Sequence, residues 1–91
     1  MHNTRTSKRL DRILIKLSKK DKKFFEQILR KIQEVKECFG IEHYKNLRYN
    51  MKDYKRVHIG HFVLVFSYDK KDDLISFEDL DHHDNIYKKK S

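Results

Sequence analysis

The sequence predicts an α+β fold in which an N-terminal helical hairpin packs on a small, mainly antiparallel β-sheet, with a short C-terminal turn or helix closing the chain. Two observations predict it. Apolar residues recur every three or four positions up to Gly40, then alternate with polar ones after Tyr54. Proline is absent and the only glycines are Gly40 and Gly60, so each of the two marks a break in the pattern.

The elements follow in order. A weak edge strand is possible at residues 2–5. From Ser7 onward, Leu10, Ile13, Leu14 and Leu17 take the i, i+3, i+4, i+7 spacing of one helical face, while Lys8, Arg9, Arg12 and Lys16 fill the rest. Ser18 followed by Asp21 reads as the start of a new helix, with a carboxylate in its first turn. That second helix carries Phe24, Ile28, Ile32, Val35 and Phe39 on one stripe and ends at Gly40. So short a link makes the two helices an antiparallel hairpin. Residues 41–50 read as a connector. Beyond Tyr54, Val57 and Ile59 alternate with Arg56 and His58, the signature of a half-buried strand. Gly60-His61 suits a two-residue II′ turn with glycine first. Residues 62–68 are apolar almost throughout, as in a central strand covered on both faces. A polar loop at 69–73, a strand at 74–80 and a turn or helix from His82 to Lys90 complete the chain. Both helices must then cover one face of the sheet, leaving the other as a concave binding surface.

A length of 91 residues fits one domain, residues 1–91, with a modest core and no spare stability for a buried cofactor. Lys and Arg number 22 against 14 Asp and Glu, a net charge of +8 that draws polyanions. Nucleic acid and an acidic protein partner both fit; a chain merely kept soluble by lysine is the plainer reading. No apolar run approaches spanning length, so no membrane partner is expected. Cys38 is the one cysteine, which excludes a disulfide framework and a thiolate metal site. With no apolar signal core at the N-terminus, the expected compartment is the cytoplasm.

Two segments carry candidate chemistry. With Val57 and Ile59 toward the helices, Arg56 and His58 share the open face, where a guanidinium binds phosphate and an imidazole moves a proton near neutral pH. A solvated sheet face explains the same residues without function. The second segment is His82-His83-Asp84 with Tyr87. Adjacent histidines suggest metal, with His43, His58 or His61 as a third ligand. On one strand, however, neighbouring side chains diverge, and zinc sites draw ligands from separated elements, so no metal or other cofactor is expected. Acid–base work is the alternative, with Asp84 orienting a histidine and Tyr87 stacking on a base. The plainer reading has His82 capping a turn and Tyr87 packing on the core. No Ser-His-Asp arrangement and no glycine-rich phosphate loop is present. Glu78, Asp79 and Asp81 read as partners for lysines, and the Lys19, Lys20, Lys22, Lys23 cluster as hydrated, with RNA or an acidic protein partner as the alternatives.

Ser7-Lys8-Arg9-Leu10-Asp11-Arg12 continuing to Leu17, then Arg56-Val57-His58-Ile59-Gly60-His61-Phe62-Val63, then His82-His83-Asp84-Asn85-Ile86-Tyr87-Lys88 resemble, in this order, three motifs of the RelE/ParE superfamily of toxin–antitoxin toxins. The resemblance covers nearly the whole chain. It implies a RelE-like fold and a toxin that cuts messenger RNA on the ribosome without metal, by attack of a 2′-hydroxyl on the adjacent phosphate, so inhibiting translation. It further implies catalytic roles for Arg56, His58, His82, His83 and Tyr87, and RNA-binding roles for Lys52, Lys55, His61 and Lys88. The implied partners are an acidic RelB-like antitoxin, which wraps the basic face in a possible heterotetramer, and the ribosome with its message. Two positions depart from the pattern: Val63 stands where the superfamily usually has a phosphate-binding arginine, and His83 stands where the tail has another. A gyrase inhibitor of the ParE type, or an inactive RNA-binding homologue, is the alternative that Val63 leaves open.

Overall fold

The computed structural model describes residues 2–44 and 54–88. The elements run β1 (Asn3–Thr6), α1 (Lys8–Lys20), α2 (Lys22–Glu37), a 3-10 turn (Ile41–His43), β2 (Lys55–Ile59), β3 (Phe62–Asp69), β4 (Leu74–His82) and α3 (His83–Lys88). The sheet order is β1-β4-β3-β2. β2, β3 and β4 form the expected antiparallel meander, whereas β1 adds to β4 in parallel, Asn3 opposite Leu74 and Thr6 opposite Phe77. The weak edge strand is thus real, and the sheet is mixed.

Helix α1 starts where its cap allows. The Ser7 hydroxyl oxygen accepts the Leu10 amide at 3.0 Å and donates its proton to the Glu78 carbonyl at 2.6 Å, so one side chain both caps the helix and ties it to β4. Asp21 separates the helices on its own. Its amide donates to the Leu17 carbonyl at 2.9 Å to finish α1, and its carboxylate accepts the Phe24 amide at 3.2 Å to begin α2. Ser18, expected to signal the start of the second helix, lies inside the last turns of α1 and donates to the Ile15 carbonyl at 2.6 Å.

The second helix is shorter than its apolar stripe. It ends at Glu37, because Cys38 turns extended (φ −78°, ψ 121°) and the Nε2 of His2 donates to the Cys38 carbonyl at 2.6 Å. Phe39, expected on the stripe, is therefore 97% exposed, and Ile41 fills the core beyond the helix instead. Cys38 itself is half-buried against the core.

Gly60 has φ +63°, the left-handed region that the hairpin turn requires, and Ile59 pairs with Phe62 across it. Between β3 and β4 the register shifts: Val65 pairs with Asp79 while Phe66 pairs with Phe77, so Glu78 is the extra residue of a β-bulge. The bulge lets Phe77 and Leu80, three positions apart, both reach the main core. That core joins Leu10, Ile28, Ile32, Val35 and Ile41 to Ile59, Leu64, Phe66, Ile75, Phe77 and Leu80. Ile13, Leu14 and Leu17 pack against its edge.

The opposite sheet face is only partly open. Val63, Val65 and Ile86 form a second buried cluster there, with Ile86 of α3 1% exposed. The C-terminal helix thus covers part of the surface that the strand pattern leaves bare. Among the described residues, no helix is long and apolar enough to cross a membrane.

Candidate functional site

Directly opposed residues of an antiparallel pair share a face. Arg56 pairs with Val65 and His58 with Val63, so both polar side chains lie on the α3 side of the sheet, as their alternation with Val57 and Ile59 requires. The Arg56 Nη1 and His58 Nδ1 atoms are 3.4 Å apart. The Arg56 Nε is buried and makes no hydrogen bond among the described residues. The same guanidinium carries Nη donors, the groups from which a phosphate oxygen accepts. Burial is the largest influence holding His58 below the ordinary imidazole value, with the charges of Arg56 and His83 acting in the same direction. The neutral imidazole is therefore favoured, with Nδ1 facing the Arg56 guanidinium.

His61, His82 and His83 gather where the β2–β3 turn meets the end of β4. Phe62 pairs with His82, which puts the hairpin turn beside the strand-to-helix junction. The His83 amide donates to the His61 carbonyl at 2.9 Å and locks the two together. The rings of His61 and His82 stack at 6.1 Å and 17°, and Phe62 meets His82 edge-on at 5.9 Å. His82 and His83, consecutive in sequence, have ring centroids 4.7 Å apart. They converge because the first ends a strand and the second opens a helix, so the divergence expected of strand neighbours does not arise. Asp84 binds both: its amide donates to His82 Nδ1 at 3.2 Å, and its carboxylate lies 3.0 Å from His83 Nε2. The donor atoms of His82, His83 and Asp84 lie within 4.8 Å of one another.

Asp81 steadies this junction, its carboxylate accepting the His82 amide at 2.8 Å and the Asn85 side-chain amide at 3.1 Å. Sequence reasoning assigned Asp81 to surface lysines; the i, i+4 spacing to Asn85 was the available signal for its capping role. Asp79 pairs with Arg9 at 2.8 Å, which raises the Arg9 guanidinium further and draws the start of α1 onto β4.

The other expected site residues divide. The Lys55 ammonium donates to the carbonyls of Tyr44, at 3.2 Å, and Glu42, at 3.4 Å, and so is turned toward the connector. Tyr87 and Lys88 belong to α3. Lys52 lies outside the described residues. Val63, at the position of the expected arginine, is 0% exposed beneath α3: the site has exchanged a cation for a packing residue.

No family model matches the chain. A Methanocaldococcus jannaschii protein named as a candidate RelE toxin, RelE4, is 55% identical over 82 residues, spanning 89% of this chain and 85% of that protein. The chain belongs to the RelE toxin family. A second relative of this RelE chain, an uncharacterised protein of Methanosarcina mazei, is 51% identical over 79 residues, 86% of this chain and 90% of its own. In three dimensions the RelE fold is shared with a chain of the Mycobacterium tuberculosis RelBE2 toxin–antitoxin complex, at TM-score 0.60 and 21% identity, covering 89% of this chain and 96% of that one. The two helices, the mixed four-stranded sheet and the short C-terminal helix are thus the RelE architecture, here with a histidine-rich edge.

Proposed function

We propose that this RelE toxin is a metal-independent endoribonuclease that cuts messenger RNA on the ribosome, as one domain acting in the cytoplasm. The observation that carries the reading is Arg56 beside His58 on the α3 face of the sheet, with His83 near enough for its charge to act on His58. His58, neutral and beside a cation, takes the proton of the 2′-hydroxyl. The 2′-oxygen attacks phosphorus, and Arg56 offsets the charge that builds on the phosphorane oxygens. His83, oriented by Asp84, returns a proton to the leaving 5′-oxygen. The products are a 2′,3′-cyclic phosphate and a free 5′-hydroxyl. His61, Tyr87 and Lys88 are assigned to hold the RNA strand, and Lys52 and Lys55 to bind its phosphates, Lys55 after leaving its carbonyl partners. With a net charge of +8, the partner that silences the toxin is an acidic antitoxin covering this face.

Purified protein added to a translating ribosome should generate discrete message ends, with cyclic phosphate on the upstream fragment. Intact message at stoichiometric toxin sinks the nuclease reading. The buried Val63 favours one competing reading, a gyrase-directed toxin on the same fold. Inhibition in a supercoiling assay, with no RNA cleavage, selects it.

A further inference from the structure

The same junction has a property that RNA cleavage does not require. We propose that His82, His83 and Asp84 form a binding site for a divalent transition-metal ion of the Zn²⁺ class.

Three observations lead there. The first is spacing. Zinc bonds to nitrogen and oxygen at about 2.0–2.2 Å, which sets tetrahedral ligand atoms about 3.4 Å apart. The Asp84 carboxylate lies 3.0 Å from His83 Nε2 and 3.7 Å from His82 Nδ1, on either side of that spacing. The three donor atoms all fall within 4.8 Å, a gap that ring rotation closes for side chains 39–65% exposed.

The second is lone-pair direction. By donating to His82 Nδ1, the Asp84 amide fixes the tautomer in which that nitrogen is unprotonated and turned toward Asp84. Coordination through Nδ1 requires the ring to rotate off this amide, with loss of the one 3.2 Å hydrogen bond. The third is local charge. Residues 78–84 contain Glu78, Asp79, Asp81 and Asp84 without a lysine or arginine, and with Asp79 paired to Arg9 three carboxylates remain in a chain of net charge +8. His61 stacks on His82 from the hairpin turn and packs beside the site. Imidazole nitrogens with one carboxylate select Zn²⁺, Co²⁺ or Ni²⁺ over Mg²⁺ or Ca²⁺.

A consequence rests on the nuclease reading: His83 Nε2 is the atom assigned to the leaving group, so bound metal withholds it and the ion acts as an inhibitor.

The test is calorimetric titration of tag-free protein with Zn²⁺ at about pH 7.5, with Co²⁺ absorption as a coordination readout. One equivalent should bind with micromolar affinity. His83→Gln and Asp84→Asn should each weaken binding at least tenfold with unchanged circular dichroism, His61→Ala should weaken it less, and His2→Asn should leave it intact. Millimolar or absent binding by the wild type, or unchanged affinity in both His83→Gln and Asp84→Asn, overturns the site. Binding is read without RNA, so a protein that fails to cleave message leaves this result standing. If cleavage is present, saturating Zn²⁺ should suppress it and chelation restore it; cleavage unaffected by occupied metal refutes the inhibitory role alone.

Discussion

Replacing Ile86 with alanine should release α3 while leaving the rest of the molecule folded. Ile86 is 1% exposed and meets Val63 and Val65 in a cluster separate from the main core. The substitution removes three buried carbons, worth about 2.4 kcal/mol at about 0.8 kcal/mol per methylene. That sits at the lower end of the roughly 2–5 kcal/mol seen for isoleucine-to-alanine changes, as suits a small cluster whose cavity solvent can relax. A helix of 6 residues has no stability of its own, so the loss falls on docking. The undocked population should rise about 50-fold, since each 1.4 kcal/mol is a factor of ten. Native-state amide exchange reads this directly: protection within α3 should drop by that factor while amides of α1 and β3 keep theirs. Unchanged protection in α3, or parallel loss throughout the chain, refutes the claim that this helix is a separately anchored lid on the sheet. Because His83 and Asp84 open α3, cleavage and Zn²⁺ affinity should fall with its docking.

Three further outcomes follow from the same geometry. His2 Nδ1 lies 2.5 Å from the Asp73 carboxylate and its Nε2 donates to the Cys38 carbonyl; the Asp73 bond, chiefly, raises His2 above 6.5, and the His2 bond in turn lowers Asp73 below 3.8. The charged ring therefore stabilises the fold fully below pH 6.5 and less as pH rises through its raised value, while Asp73 contributes above pH 3.8 and less as acid protonates it. The melting-temperature gap between wild type and His2→Asn should be widest between those limits and shrink on either side; a gap independent of pH counts against the pair. Gly60→Ala should destabilise by about 1 kcal/mol in chemical denaturation, because φ is +63° although the space for a Cβ is open. No loss there means the turn relaxes to a different geometry. The acid limb of the cleavage profile should lie below pH 6.5 and move upward in Arg56→Ala, since the guanidinium helps hold His58 down. An unmoved limb removes His58 from the role of base.

The parts of this molecule legible in its sequence are those fixed by local chemistry. The Leu10-to-Leu17 spacing, the carboxylate at Asp21 and the glycine at the hairpin tip each dictate their structure within a few residues. What sequence periodicity missed depends on partners far along the chain. Phe39 continues an apolar stripe on paper, but the helix stops earlier because His2, 36 residues before Cys38, captures its carbonyl. The β-bulge at Glu78 moves Leu80 to the face that simple alternation assigns to its neighbour. Val63 read as a missing arginine because nothing local reveals Ile86 above it. At the site, Arg56 and His58 were readable from alternation alone. The meeting of His82 with His83 was not, since it depends on the exact residue at which strand gives way to helix.

The parallel pairing of β1 also orders events in time. Residues 3–6 are synthesised before any other strand, yet their hydrogen-bonding partner, residues 74–77, is separated from them by about seventy positions. The helical hairpin can form early from local contacts, but Ser7 cannot reach the Glu78 carbonyl until β4 exists, so its second bond waits with the strand. Contacts of such sequence separation carry a large loop-closure entropy and arrive late in folding. Pairing of β1 with β4 therefore belongs to a late step, and the Ser7 bridge between α1 and β4 closes with it.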